Sequence, residues 1–177
     1  MGKAKQKAVE RFWKKMNSVE TMRIERFICN AKLKDSYEAY NVLDHDEYQR
    51  FIKLVLKNTE IVCFKVDSWL DDLDELRHSK WGMLSENVVE MTNEEGVSNS
   101  SGSYSRIYMK NDYTLYEFFM GLKNIFDFEE DESMGIKLED PLFIKNGEII
   151  CHTLTHEGYC DVAEDIYELL QKGFLHS

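Results

Sequence analysis

The densest set of reactive side chains runs Cys151-His152-Thr153-Leu154-Thr155-His156-Glu157-Gly158-Tyr159-Cys160-Asp161. Imidazole and thiolate are zinc-type ligands, so this segment is the candidate centre of a metal-assisted hydrolase using His152, His156 and Glu157. The spacing weighs against it. His152 and His156 share a face at four residues apart only if the segment is helical. If the segment is a strand, they lie about 13 Å apart along the chain, too far to hold one ion. The order H-x-x-x-H-E also differs from the zinc-protease H-E-x-x-H, whose Glu lies between the ligands. The segment therefore reads as structural, with Thr155, His156 and Glu157 forming a turn and the first-turn dipole contacts of a closing helix. No metal and no cofactor are expected.

Cys–His nucleophilic catalysis is the other enzymatic option, pairing Cys151 or Cys160 with His45, His78, His152 or His156. Such partners meet in space rather than in sequence, and nothing in the spacing selects one. There is no Walker A motif, GxGxxG, GxSxG or EF-hand loop. Gly96–Gly102 is rich in Gly and Ser but lacks the lysine of a phosphate loop, and reads as a surface loop.

Carboxylates form two clusters: Asp71, Asp72, Asp74 and Glu75, and the run Glu129, Glu130, Asp131 and Glu132. The simple reading of each is a solvated face. The second follows an aromatic-rich helix, where negative charge opposes the helix dipole. A basic group docking there would account for it, either on a partner or on the chain's own lysine-rich start. Charge is split along the chain. Residues 1–34 hold ten Lys/Arg against three Asp/Glu, a balance of +7, while the net charge of all 177 residues is −11, which leaves −18 on the remainder. That acidity argues against a direct nucleic-acid binder, which presents positive charge to phosphates.

The elements that must position these groups follow from periodicity. Lys3–Met16 has a helical stripe (Ala4, Ala8, Phe12, Met16), and helical character continues over Val19–Leu33. Asp44 with Glu47 is a capping box opening a helix that buries Tyr48, Phe51, Ile52, Val55 and Leu56. Glu60–Val66 reads as a buried strand, and Ser68 as the cap of a helix facing Trp69, Leu70, Leu73 and Leu76 inward. Asn87–Thr92 and Arg106–Lys110 read as strands joined by the polar loop Asn93–Ser105, and Leu115–Phe128 as an apolar helix. Leu142–Ile144 and Ile149–Leu154 flank Asn146-Gly147, the strongest short hairpin signal, and Tyr159–Lys172 reads as a closing helix stopped at Gly173.

The expected fold is α+β: a mostly antiparallel small sheet, including the Asn146-Gly147 hairpin, packed against several helices, with a helical N-terminal region. Residues 1–177 are expected to form one domain carrying a basic helical segment over 1–34. No apolar run approaches the ~20 residues of a membrane span. The N-terminus lacks an apolar signal region, and the four cysteines show no CxxC spacing, so a cytoplasmic location with reduced thiols is expected. Single-domain size, acidity, clustered carboxylates and the lack of a coherent catalytic motif point to a binding protein that neutralises a basic protein partner. An immunity-type inhibitor of a nucleic-acid-cleaving toxin is the expected form. The alternatives are the hydrolase above and an accessory protein docking through its amphipathic N-terminal helix.

Overall fold

The computed structural model describes residues 45–66, 68–94, 102–127 and 134–163. It also describes the backbone of a short strand, Ile24–Arg26, and Asp165, Ile166, Glu168, Leu169 and Lys172 of a helical stretch. The strands are β1 (Ile24–Arg26), β2 (Ile61–Val66), β3 (Val88–Glu94), β4 (Tyr104–Lys110), β5 (Leu138–Lys145), β6 (Glu148–Leu154) and β7 (Tyr159–Ala163). The helices are α1 (His45–Lys57), α2 (Leu73–His78) and α3 (Tyr113–Gly121), with 3-10 turns at Gly82–Asn87 and Thr155–Glu157. All seven strands lie in one sheet, in the order β1-β7-β6-β5-β2-β4-β3, and every pairing is antiparallel. The architecture is α+β.

Period two in the strands and period 3.6 in the helices decide which face each element buries. Val62, Phe64 and Val66 of β2 enter the main core with Tyr48, Phe51, Ile52, Val55 and Leu56 of α1 and Phe119 of α3. Phe64 stacks on Phe119 with centroids 5.8 Å apart, and Phe119 lies 5.3 Å from Phe143 of β5. Each such ring contributes roughly 1.5–3 kcal/mol by leaving water. The Tyr48 hydroxyl donates to the Phe119 carbonyl at 2.7 Å, which satisfies a buried polar group and ties α1 to α3. The alternate residues Cys63, Tyr108, Leu142, Ile144 and Ile149 form a second, smaller apolar cluster on the opposite face.

Asn146 and Gly147 join β5 to β6 with φ of 51° and 75°, and Lys145 faces Glu148. Positive φ at both central residues is what a type I′ turn needs. Pro141 lies inside β5, where a missing N–H would break a ladder. The register against β2 slips there, so Asp140 and Pro141 occupy a bulge opposite Phe64. Asp140, at φ 48°, is clasped by Thr155: its N–H donates to Thr155 Oγ1 at 2.8 Å, and Thr155 N–H donates to Asp140 Oδ1 at 2.7 Å.

Several elements differ from the sequence expectation. The closing helix does not start at Tyr159, because residues 159–163 form β7 between β6 and β1. Thr155–Glu157 therefore turns β6 into a strand and makes no dipole contacts with a helix. Ser68 does not cap a helix. Asp72 does, and Trp69 stands outside the helix and exposed. The apolar helix ends at Gly121 rather than Phe128. Within Val19–Leu33, expected to be helical, Ile24–Arg26 pairs with β7 as a strand. The helix Lys3–Met16, the Asp44 cap and the Gly173 stop lie outside the described residues.

Candidate functional site

Three of the four carboxylates of the first cluster build the start of α2. Asp72 Oδ1 accepts the Asp74 N–H at 2.8 Å as the N-cap, and Glu75 Oε1 reaches back to the Asp71 N–H at 2.8 Å. Asp74 Oδ1 takes Arg77 Nη1 at 2.6 Å, and the same guanidinium lies 3.8 Å from Glu86 Oε1 in the following 3-10 turn. Acidic groups are favoured at this end of a helix, where unpaired N–H groups gather. The cluster has a local structural role; Asp71, Asp72 and Asp74 stay exposed and Glu75 is half-buried.

Its position in the fold is set by Leu70, which is buried just ahead of the cluster. Leu70 donates its N–H to Ser105 Oγ of β4 at 2.8 Å and accepts Asn93 Nδ2 of β3 at 2.9 Å, while Ser105 Oγ donates to Asn93 Oδ1 at 2.5 Å. This closed network pins the acidic turn to the β3–β4 end of the sheet. Segment 69–94 carries three exposed large apolar side chains: Trp69 at 47%, Met83 at 56% and Val89 at 46% exposure. Val89 is the extra residue of a bulge, since Val88 faces Met109 and Glu90 faces the next residue, Tyr108. Residues 69–94 thus set Trp69 and the acidic turn at the Asn93 end of β3, and Met83, Glu86, Val89 and Glu90 at or before its Val88 end.

The Cys151–Asp161 segment does not converge on a centre. It is β6, a turn and β7, so its reactive groups alternate between faces. Cys151 and Cys160 are both buried in the main core, with Sγ atoms 3.6 Å apart. His152 is on the opposite face, in register with Asp161. His156 is exposed in the turn, 3.6 Å from Glu157. Among the described residues no group of three or more His, Cys, Asp or Glu is placed to hold a metal ion. His78 is tied to its own helix, with Nδ1 2.7 Å from the Asp74 carbonyl oxygen, and His45 contacts Gln49. Cys63 and His152 share a face, but Leu142 of β5 stands between their strands in the pairing. That separation is two strand spacings, about 10 Å. No Cys–His dyad is assembled among the described residues. The run Glu129–Glu132 lies outside them, as does the basic segment 1–34 apart from β1.

A polar group that the sequence reading missed lies on this same face. Arg106 Nε is 3.4 Å from Glu94 Oε1, Tyr104 donates its hydroxyl to Glu94 Oε2 at 2.5 Å, and the Arg106 guanidinium lies over the Tyr104 ring at 5.4 Å. Lys65 and Lys137 share Glu139 at 3.4 and 2.6 Å. Burial pushes the Cys63 thiol up to about 12 against the opposing pull of Arg106, so it is no nucleophile at neutral pH. Burial likewise raises the Tyr108 phenol, with Cys63 adding to it. Burial lowers the basicity of His152, opposed by Asp161 and Asp140. The arrangement holds two sets of charge pairs. The signal for it was present in the alternation Tyr104-x-Arg106-x-Tyr108, but Glu94 reaches it across the β3–β4 connection only through strand register, and Cys63 and Lys65 of β2 lie far away in the chain.

Comparison of the chain with protein-family models, with curated proteins and with solved structures found no match in any of the three. No helix among the described residues is long and apolar enough to cross a membrane.

Proposed function

We propose that the chain is an acidic binding protein that neutralises a basic protein partner, acting in the cytoplasm as an immunity-type inhibitor of a nucleic-acid-cleaving toxin. One observation carries this reading: the carboxylates of the α2 turn are fixed next to exposed Trp69 at the Asn93 end of the β3 edge. Surfaces that track phosphate backbones are basic, so an acidic inhibitor complements them and gains rapid, steered association. Trp and Met are enriched where interfaces bury their anchors, and carboxylates suit the rim. In this reading Asp71 and Glu75 steer the partner, while Asp72 caps the turn and Asp74, paired with Arg77, holds it in shape. Glu129, Glu130, Asp131 and Glu132 supply a second acidic patch.

The test is co-expression with the product of the neighbouring gene, followed by association kinetics between the two purified proteins. The expected result is relief of a nuclease's toxicity, with an association rate that falls steeply as salt screens the charges beyond ~8 Å. Asp71→Asn and Glu75→Gln together should slow association and leave dissociation nearly unchanged. A neighbour that is neither basic nor a nuclease, or association indifferent to these substitutions, overturns the reading.

A further inference from the structure

We infer that the partner is engaged along β3, as an extended basic segment that adds a strand to an edge of the sheet left unpaired among the described residues. This rests on the acidic-binding reading above and specifies how the contact is made. The strand order places β3 at an edge, paired only with β4 among the described residues. Folded proteins protect such edges with lysine, proline, bulges or covering elements, because unpaired N–H and C=O groups template another strand. β3 (VVEMTNE) contains neither lysine nor proline. Its bulge is confined to the start, so Glu90–Glu94 keep a regular register against Tyr108–Tyr104. Among the described residues, five residues of this seven-residue strand present a regular unpaired edge.

Charge selects the occupant. Glu90 and Glu94 lie on one face of β3, in register with Tyr108 and Tyr104. Glu94 pairs with Arg106, whereas Glu90 makes no ion pair among the described residues. Glu86 precedes the strand, and the Asp71–Glu75 turn is pinned to its far end through Asn93. A second copy of the chain pairing through β3 would bring these carboxylates against their equivalents, and like charges across strands are destabilising. A strand with Lys or Arg at alternate positions meets complementary charge instead. Its intervening apolar residues find Val89 and Met83 at one end of the edge and Trp69 at the other. This is strand addition, in which main-chain hydrogen bonds supply affinity and alternate side chains supply selectivity.

The probe is a synthetic octapeptide alternating lysine and valine, used beside a version N-methylated at alternate amides. Hydrogen exchange and amide chemical shifts are read on the full chain at low salt. The expected result is slowed exchange confined to residues 88–94 with the plain peptide, lost on N-methylation and lost in Glu90→Lys, whose fold is checked by its unchanged melting temperature. Binding of both peptides alike, with shifts at residues 71–75 and no protection of β3, overturns strand addition and leaves acidic capture standing. Protection of β3 without peptide, growing with protein concentration, overturns it in favour of self-pairing. No binding of either peptide overturns acidic capture, and strand addition falls with it.

Discussion

Glu139 offers a measurement in which the structure sets both the size and the pH dependence of the effect. Its side chain is 7% exposed on β5, beside Lys137 Nζ at 2.6 Å and Lys65 Nζ at 3.4 Å. Burial alone would raise its pKa, but the hydrogen bond and charge of Lys137, together with Lys65, hold the carboxyl below its ordinary range. Glu139→Gln keeps the shape and removes the shared anion. Breaking a fully buried pair costs roughly 3–5 kcal/mol, and losing an exposed one about 0–1. The two lysines are 25% and 37% exposed, so the cost falls between these limits. An expected loss of roughly 1–2 kcal/mol corresponds to a fall in melting temperature of about 3–6 °C for a chain of this size.

The sign with pH follows from the lowered pKa. A carboxyl whose folded pKa lies below its unfolded value adds stability above the unfolded value, and that stability is lost as pH falls through the folded one. The gap between wild type and Glu139→Gln is therefore full at neutral pH and closes as pH drops below ~4. Urea unfolding followed by tryptophan fluorescence, repeated down the acid range, reads the gap directly. A gap that stays constant with pH would refute an electrostatic origin. No gap at neutral pH would refute the pairing itself.

Two further substitutions probe the frame of the acidic turn. Asp72→Ala should lower stability by about 1 kcal/mol while Asp72→Asn stays within a few tenths, since Asn caps as well as Asp; equal urea midpoints for the two would remove Asp72 from the cap. Gly82→Ala would drive a Cβ against the Arg77 carbonyl oxygen, and the overpacking should cost roughly 1–3 kcal/mol by thermal unfolding. An unchanged melting temperature would mean that α2 and the 3-10 turn are free to part.

What could be read in advance was whatever depends on local pattern. Tyr48, Phe51, Ile52, Val55 and Leu56 recur at helical spacing and all five are buried in α1. Ile61–Val66 has the β-branched and aromatic content of a central strand, and it is one. The failures occur where one pattern serves two periods or a distant partner decides. Val162, Ala163 and Ile166 fit a helix, but Cys160 and Val162 also alternate, and pairing with β6 and β1 selected the strand. Ser68 and Asp72 are both capping types. The Leu70 amide went to Ser105, 35 residues away, and the helix began only after it. The Arg106 group needed the register of β2, β3 and β4 together, which no local window contains. The acidic turn was legible as residues; its pinning to the β3 edge was not, because that depends on Asn93.

The charge pairs on the far face of the sheet also bear on how a partner would find this protein. Arg106 with Glu94, and Lys65 and Lys137 with Glu139, are opposite charges within 3.4 Å of one another. At distances beyond their own separation such groups act as compact dipoles or near-neutral clusters, whose potential fades faster than that of a single charge. Asp74 is similarly offset by Arg77. Asp71, Asp72, Glu75 and Glu90 make no ion pair among the described residues, and Glu86 has only the longer contact of 3.8 Å. Of the described carboxylates in residues 69–94, these five dominate the reach of the field into solvent. They belong to a segment held by hydrogen bonds at both the turn and the strand, so their geometry is fixed before any encounter. A single charge removed from the paired groups should cost stability with little effect on association, and one removed from Asp71, Glu75 or Glu90 should do the reverse. That split separates steering from scaffolding without knowledge of the partner's structure.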